Sequence, residues 1–460
     1  MEQYQFIHNE ESYNEHMIHK YEGQIKNGIL EIGNPDRGAP DIINLKFLEK
    51  FNIQTLKLYT NNVTNVKLRN KTIKVLTLGK YIKQYKFNLQ VDDLELENLE
   101  VLDLDRNNLD NDQLYNLAKF KKLCALNVSF NNVDLTHIHM VSSLTKLYMR
   151  DCCVKNIDQI SQLVTLKELD LSQNKGIKDI NALCQLKSLT KLLIHRCGLN
   201  IINQIMTLTY LEVLDISSNL LKNVDSIGQL INLKELDISN DWGLDITPLK
   251  DLTGLIILDM SGCGLRQLNA LQPLINLQTL DLSQNYINNI NELQFLKSLT
   301  HLKLNNCNIV SICALRPLMN LEVLEIKNNK IEFQDANINE MAKLRFLNVE
   351  QNRINYIYFA SLIQHPNYNN LDQNGKRCFK INHQTTPTQK QRRKANKLRL
   401  IESPNIQLKE NQNQHKSLKT ALNNFKQEIN TTMNNTRQRQ IQFTSNVVRL
   451  FQYMNQFGFE

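Results

Sequence analysis

The stretch LQTLDLSQNYINNINELQFLKSL at residues 277–299 constrains this chain more than any other feature. Leu277, Leu280 and Leu282 are spaced LxxLxL, Asn285 follows three residues after Leu282, and Ile287 closes the turn. Ile290, Leu293, Leu296 and Leu299 then recur every third residue, and Leu299 begins the phrase again. A unit this short cannot bury its own leucines, so it must stack on copies of itself. The copies begin at Ile53, Ile73, Leu99, Leu123, Leu144, Leu166, Leu189, Leu211, Leu233, Leu255, Leu277, Leu299, Leu321 and Leu344. Most steps are 22 residues, and only the step from Ile73 to Leu99 is irregular.

Alternation along an LxL strand sends Leu280 and Leu282 inward, with Thr279, Asp281 and Ser283 on the opposite, concave face. The return segments keep a spacing of three, as in Ile157/Ile160/Leu163/Leu166 and Val224/Ile227/Leu230/Leu233. That period predicts short 3₁₀ or single-turn returns rather than long helices. Pro248, Pro273 and Pro317 fall in these returns, where a missing N–H costs little. The turn Asn is expected to bond the otherwise buried backbone of the neighbouring turn. Cys152, Cys197, Cys263 and Cys307 take its place in alternate repeats, and Asp241 replaces it once. With nine cysteines, an odd count, and no CxxC pair, neither a disulfide framework nor a zinc site is expected.

The pattern LxxLxxLxxLxLxxNxI, running from Leu271 to Ile287, resembles the short 22-residue class of leucine-rich repeats. That class includes the regulatory subunit of type 1 protein phosphatase and the repeats of bacterial internalins. The resemblance covers residues 53–363. It implies a right-handed α/β solenoid with a parallel concave sheet that binds a partner protein. A longer period is superposed on it. LEVLDLDRN at 99, LEVLDISSN at 211 and LEVLEIKNN at 321 lie about five repeats apart, which reads as a duplicated five-repeat block.

A solenoid grows in one dimension, so 460 residues need not mean several compact domains. Residues 1–52 read as a polar lead-in and N-terminal cap, with Tyr21–Leu30 as a strand and Ile42–Phe51 as a helical turn. Residues 53–371 read as the solenoid, about 14 repeats, with 354–371 as its C-terminal cap. Residues 372–460 form an Asn/Gln-rich basic tail. Leu418, Leu422, Phe425 and Ile429 mark an amphipathic, coiled-coil-like helix there, and Val447–Met454 a second apolar patch. From Lys376 onward 16 Lys and Arg face 4 acids, leaving 38 basic and 42 acidic residues in the rest. The chain is therefore a mildly acidic body with a basic tail. With no signal-like or membrane-spanning apolar run, the expectation is a cytoplasmic monomer that does not enter membranes. The basic stretch 390–399 leaves nuclear entry open.

In four consecutive repeats one concave column reads Asp215, Asp237, Asp259 and Asp281, with Asp103, Asp170 and Glu325 elsewhere. A serine column, Ser217, Ser239, Ser261 and Ser283, runs beside it. Strands about 4.8 Å apart make neighbouring carboxylates repel by roughly 1 kcal/mol even in water. Two readings stay open: a face for a basic partner surface, which includes the chain's own tail, or a soluble face copied by duplication. Phe130, Tyr148, Arg150, His195 and Arg196 occupy concave places in earlier repeats and have the composition of interface anchors. Trp242, the one tryptophan, follows a turn position.

Signals for catalysis fail. GNPDRGAP at 33–40 lacks the Lys and Ser/Thr of a phosphate loop, and the carboxylates form one uniform column. The histidine pairs, His16/His19 and His137/His139, bring no third ligand. No cofactor or metal is expected. The resulting expectation is a non-enzymatic scaffold that binds a protein on the concave face. The resemblance adds one alternative, a regulator of a phosphatase catalytic subunit, for which KIEF at 330–333 fits the short docking motif of that phosphatase's partners. A second alternative is nucleic-acid association through the tail. It is disfavoured, because no aromatic residue interleaves the basic stretch.

Overall fold

Each LxxLxL phrase folds into a short strand whose central leucine is wholly buried, as Leu214 is in Val213–Asp215 and Leu236 in Glu235–Asp237. The structure is a computed structural model that describes residues 10–33, 42–59, 63–65, 67–79, 91–107, 109–331 and 341–353. Two units divide the chain, Met1–Asp281 and Leu282–Glu460.

In the first unit the strands run from Ile29–Ile32 and Thr55–Tyr59 through Val101–Asp103 to Thr279–Asp281, each pairing in parallel with the strand of the next repeat. The register never slips between repeats: Leu214 pairs with Leu236, Leu236 with Leu258, and Leu258 with Leu280. Such a ladder buries the same apolar positions in every turn. Each leucine so buried contributes on the order of 2 kcal/mol. The returns are short 3₁₀ turns, as the spacing of three requires; Asp158–Gln162, Asn181–Gln185 and Asn203–Thr207 bury Ile160, Leu183 and Ile205. One return differs. Asn111–Tyr115 is a turn of α-helix opened by a capping box, in which Asp110 and Gln113 satisfy each other's backbone N–H.

The lead-in departs from expectation. Tyr21 lies in a helix, Glu10–Glu22, and not in a strand; the strand is Ile29–Ile32. Tyr13, Met17 and Tyr21, four residues apart, form the buried face of that helix, a period that overrides the local alternation. The Tyr21 ring stacks on Phe47 at 5.8 Å, and Phe47 meets Phe51 edge-on. The turn expected over Ile42–Phe51 is confined to Lys46–Lys50, after a three-residue strand.

The turn asparagines act as anticipated. Asn174 Nδ2 donates to the carbonyls of Met149 and Leu171, while its Oδ1 accepts the N–H groups of Cys152 and Val154 at 3.0 Å. Cysteine supplies only the donor half; the Cys152 and Cys197 thiols reach Val128 and Leu171 carbonyls. Asp241 supplies only the acceptor half, taking N–H bonds from Asn219 and Leu221. A second ladder was not legible in the sequence. Asn232 and Asn276, each one place before a strand phrase, donate to the carbonyls of Thr209 and Thr253 one repeat back.

In the second unit, strands His301–Lys303, Val323–Glu325 and Phe346–Asn348 pair in parallel, with Asn329 bridging Leu304 and Ile326. The expected C-terminal cap at 354–371, the basic tail with its stretch 390–399, and the helix at 418–429 lie outside the described residues.

Candidate protein-binding face

The carboxylate column stands on one line across the sheet: Asp215 pairs with Asp237, Asp237 with Asp259, and Asp259 with Asp281. All four are half-buried. Each strand ends in a turn that the column residue closes. Asp170, Asp215, Asp237 and Asp259 accept, through Oδ1, the N–H of the residue two places on, at 2.8 to 3.0 Å. Asn127 and Asn348 make the same bond at 3.1 Å. The turn therefore selects Asp or Asn by shape, without requiring charge.

The charges are not equally at ease. Burial, together with the neighbouring Asp215 and Asp259 carboxylates, pushes Asp237 up to about 6 despite the bonds from Ser239. Burial acts on Asp215 too, but His195, whose Nδ1 lies 3.0 Å from Oδ2, and the Ser217 hydroxyl at 2.7 Å outweigh it and hold the carboxyl below the usual range. Burial also raises Asp103, against the bonds it accepts from Asp105 N–H and the Asn127 amide. The serine column departs from the sequence reading. Ser217, Ser239 and Ser283 are buried, so this row packs beneath the face instead of forming part of it. In the second unit Glu325 is half-buried and accepts from the Asn305 amide at 3.2 Å.

One place beyond the serines, every repeat from Leu99 to Leu277 holds a left-handed residue: Arg106, Phe130, Asp151, Gln173, Arg196, Ser218, Asn240, Gly262 and Gln284, with φ between 51° and 69°. That conformation aims the N–H at the next repeat, as from Phe130 to the Arg150 carbonyl and from Gln173 to that of His195, both 2.7 Å. Glycine would take it without strain, yet only Gly262 uses that freedom. Phe130 is held beside two guanidiniums, Arg106 at 3.9 Å and Arg150 at 5.7 Å from the ring centre. Arg106 reaches Asp105 at 2.7 Å, and Arg150 Nε donates at 3.3 Å to the Gln173 amide oxygen when that amide is turned to face it. Tyr148 stands in the carboxylate column and donates to Glu168 at 2.6 Å; Lys146 reaches the same carboxylate. Sequence reasoning found Phe130, Arg150, His195 and Arg196 but missed Arg106 and Gln173, whose equivalence to Phe130 was visible in the repeat register.

Other candidates separate. Trp242 is 72% exposed beside Leu220 at 69%, and its indole lies over Gly264, where a Cβ would meet Nε1 at 2.7 Å. His16 and His19 share an exposed side of the first helix. His137 sits against Tyr115, ring centres 5.4 Å apart. Within KIEF, Ile331 is a 1% exposed core residue, and Glu332 and Phe333 lie outside the described residues. Among the described residues no three His, Cys, Asp or Glu side chains stand together to hold a metal ion, and no helix is long and apolar enough to cross a membrane.

A family model described as two copies of leucine-rich repeats matches residues 142–185. Comparison with curated protein sequences finds no match. A leucine-rich-repeat protein of Leptospira interrogans superposes with a TM-score of 0.58 and 24% identity, over 73% of this chain and 95% of its own. The functional domain of InlJ from Listeria monocytogenes gives 0.52 and 21% identity, over 75% of this chain and 72% of its own. That domain includes a cysteine ladder. In this chain the thiols Cys152 and Cys197 are instead separated by Asn174 along the ladder. Likeness at this level carries the fold and leaves function to the surface. By its period, its stacked parallel strands and this match, the chain is a leucine-rich-repeat protein.

Proposed function

We propose that this protein is a non-catalytic interaction scaffold whose sheet face, around Asp215, Asp237, Asp259 and Asp281, receives a basic surface of a partner protein. One observation carries the reading: the face holds more charge than the fold uses. Asn closes the same turn at positions 127 and 348, so four aspartates in register add repulsion that the turn does not demand. The raised Asp237 carboxyl marks that cost. Lysine or arginine side chains from a partner would neutralise it, and complementary charge sets specificity and encounter rate more than bulk affinity.

The test is affinity capture from native lysate with the intact chain and with Asp215, Asp237, Asp259 and Asp281 all changed to Asn. Asn preserves the turn, so the variant should melt no lower than wild type while losing one specific captured protein. Capture of the same proteins by both baits, at equal yield, would return the column to a solubility role. A phosphatase catalytic subunit in the lost band would support the regulator reading, which rests on resemblance alone.

A further inference from the structure

From the Arg106–Phe130–Arg150 row, which continues through Gln173 to Arg196 along the strand-end turns, we infer that the partner's docking segment also carries acidic residues. This inference rests on the sheet-face reading above and deepens it. The row is not something the fold needs. Five repeats on, the corresponding places hold Ser218, Asn240, Ser261, Gln284 and Asn306, on the same left-handed backbone or next to it. The two copies of the block keep the same buried leucines while differing at these solvent-facing places. Phe130, moreover, occupies a conformation that disfavours a bulky side chain.

Its ring, half-buried, holds the Arg106 guanidinium at 3.9 Å, with Arg150 further off at 5.7 Å. A guanidinium stacked on an aromatic face keeps its in-plane N–H edges available, and those edges match carboxylates two at a time. Arg106 and Arg150 lie two repeats apart, so their ligands stand about 10 Å apart, the span of three residues of extended chain. A polyanion such as RNA fits less well. Asp103, Asp105, Asp151 and Asp170 flank or interrupt the row, and continuous phosphate would meet them. A protein segment fits both signs, with acids on the row and bases on the column.

The test places a photo-crosslinking phenylalanine analogue at position 130 of the full-length chain, with the same group at Thr207, exposed on a 3₁₀ return, as control. Adducts formed in lysate are digested and sequenced. The expected adduct is a peptide with two Asp or Glu residues three or four apart. The triple substitution Arg106→Ser, Arg150→Ser and Arg196→Asn, which borrows the residues found five repeats on, should cut its yield about tenfold without lowering the melting temperature. An adduct without acidic residues, a nuclease-sensitive adduct, a yield no higher than at Thr207, or an unchanged yield in the triple variant would overturn the inference. If the Asp→Asn column variant loses its partner while position 130 gives no adduct, the row inference falls and the column reading stands. If neither experiment responds, both fall.

Discussion

Asp241→Asn should stabilise this protein, and the amount can be worked from its surroundings. Asp241 is 1% exposed and occupies the ladder place that Asn fills in neighbouring repeats. It accepts the Asn219 and Leu221 N–H groups at 3.1 and 2.9 Å but, when ionised, has nothing to donate. Asn174 shows what is missing: Nδ2 donates to one carbonyl of the preceding repeat and one of its own, both at 2.8 Å. The equivalent acceptors beside Asp241 are the carbonyls of Ile216 and Ile238. Two regained hydrogen bonds contribute about 1 kcal/mol each. Removing a charge from a buried place adds a further amount on the order of 1 kcal/mol. The expected gain at pH 7 is therefore about 2–3 kcal/mol.

The gain should depend on pH in a fixed direction. Burial raises the Asp241 carboxyl above its usual range, against the two N–H bonds that oppose it. A folded-state value above the unfolded one means that protonation favours the fold. That stabilisation is complete below the unfolded value, about 4, and is lost as pH rises through the folded value. The protonated acid can also donate, so the gap between variant and wild type should narrow on acidification. Urea unfolding at pH 7 and pH 4.5, with amide exchange at Asn219 and Leu221 as a local probe, measures both effects. A variant no more stable than wild type at pH 7, or a gap that does not narrow in acid, would refute the reasoning.

Four further outcomes are expected. The Asp237 carboxyl should titrate near pH 6 by carbon NMR, and Asp259→Asn should lower that midpoint by removing one repelling neighbour. Asn174→Ala removes both halves of a ladder node and should cost about 3–5 kcal/mol, read by urea midpoint. Leu258→Ala, fully buried in the middle of the first unit, should cost about 3–4 kcal/mol. Iodoacetamide should label exposed Cys153 in the native chain and spare buried Cys152, Cys197 and Cys263, whose thiols burial pushes to between about 11 and about 12.

The repeat itself was almost wholly legible, because one rule, leucine at fixed offsets, is enforced by every neighbouring copy. Leu280 and Leu282 point inward and the returns are 3₁₀ turns for the same reason: an error would expose apolar surface many times over. The lead-in was misread because Tyr21 belongs to two patterns, an alternation toward Leu30 and a four-residue spacing from Tyr13, and only tertiary packing on Phe47 decides between them. The face was half legible. Register revealed which residues share a column. It did not reveal that Asp215 closes its own turn, that Ser217 sinks beneath it, or that Arg106 reaches back over Phe130, since these depend on dihedrals and rotamers that a column of letters does not contain.

Whether the aspartate column bears on function turns on whether adjacent carboxylates feel one another, and Asn127→Asp tests that from the opposite side. Asn127 accepts the Ser129 N–H at 3.1 Å, and its amide donates to Asp103 at 2.9 Å. Aspartate would keep the first bond, as Asp170 and Asp215 do, but would turn the second into two facing acceptors. One lost hydrogen bond of about 1 kcal/mol and roughly 1 kcal/mol of repulsion across neighbouring strands predict a loss of about 2 kcal/mol at pH 7. The Asp103 carboxyl, already raised by burial, should rise further, so the loss should be recovered as pH falls through its folded value. Urea unfolding with carbon NMR of Asp103 measures both. Should Asn127→Asp be neutral at pH 7 and leave the Asp103 midpoint in place, charge on this face would cost nothing. Four aspartates in register would then need no partner to explain them.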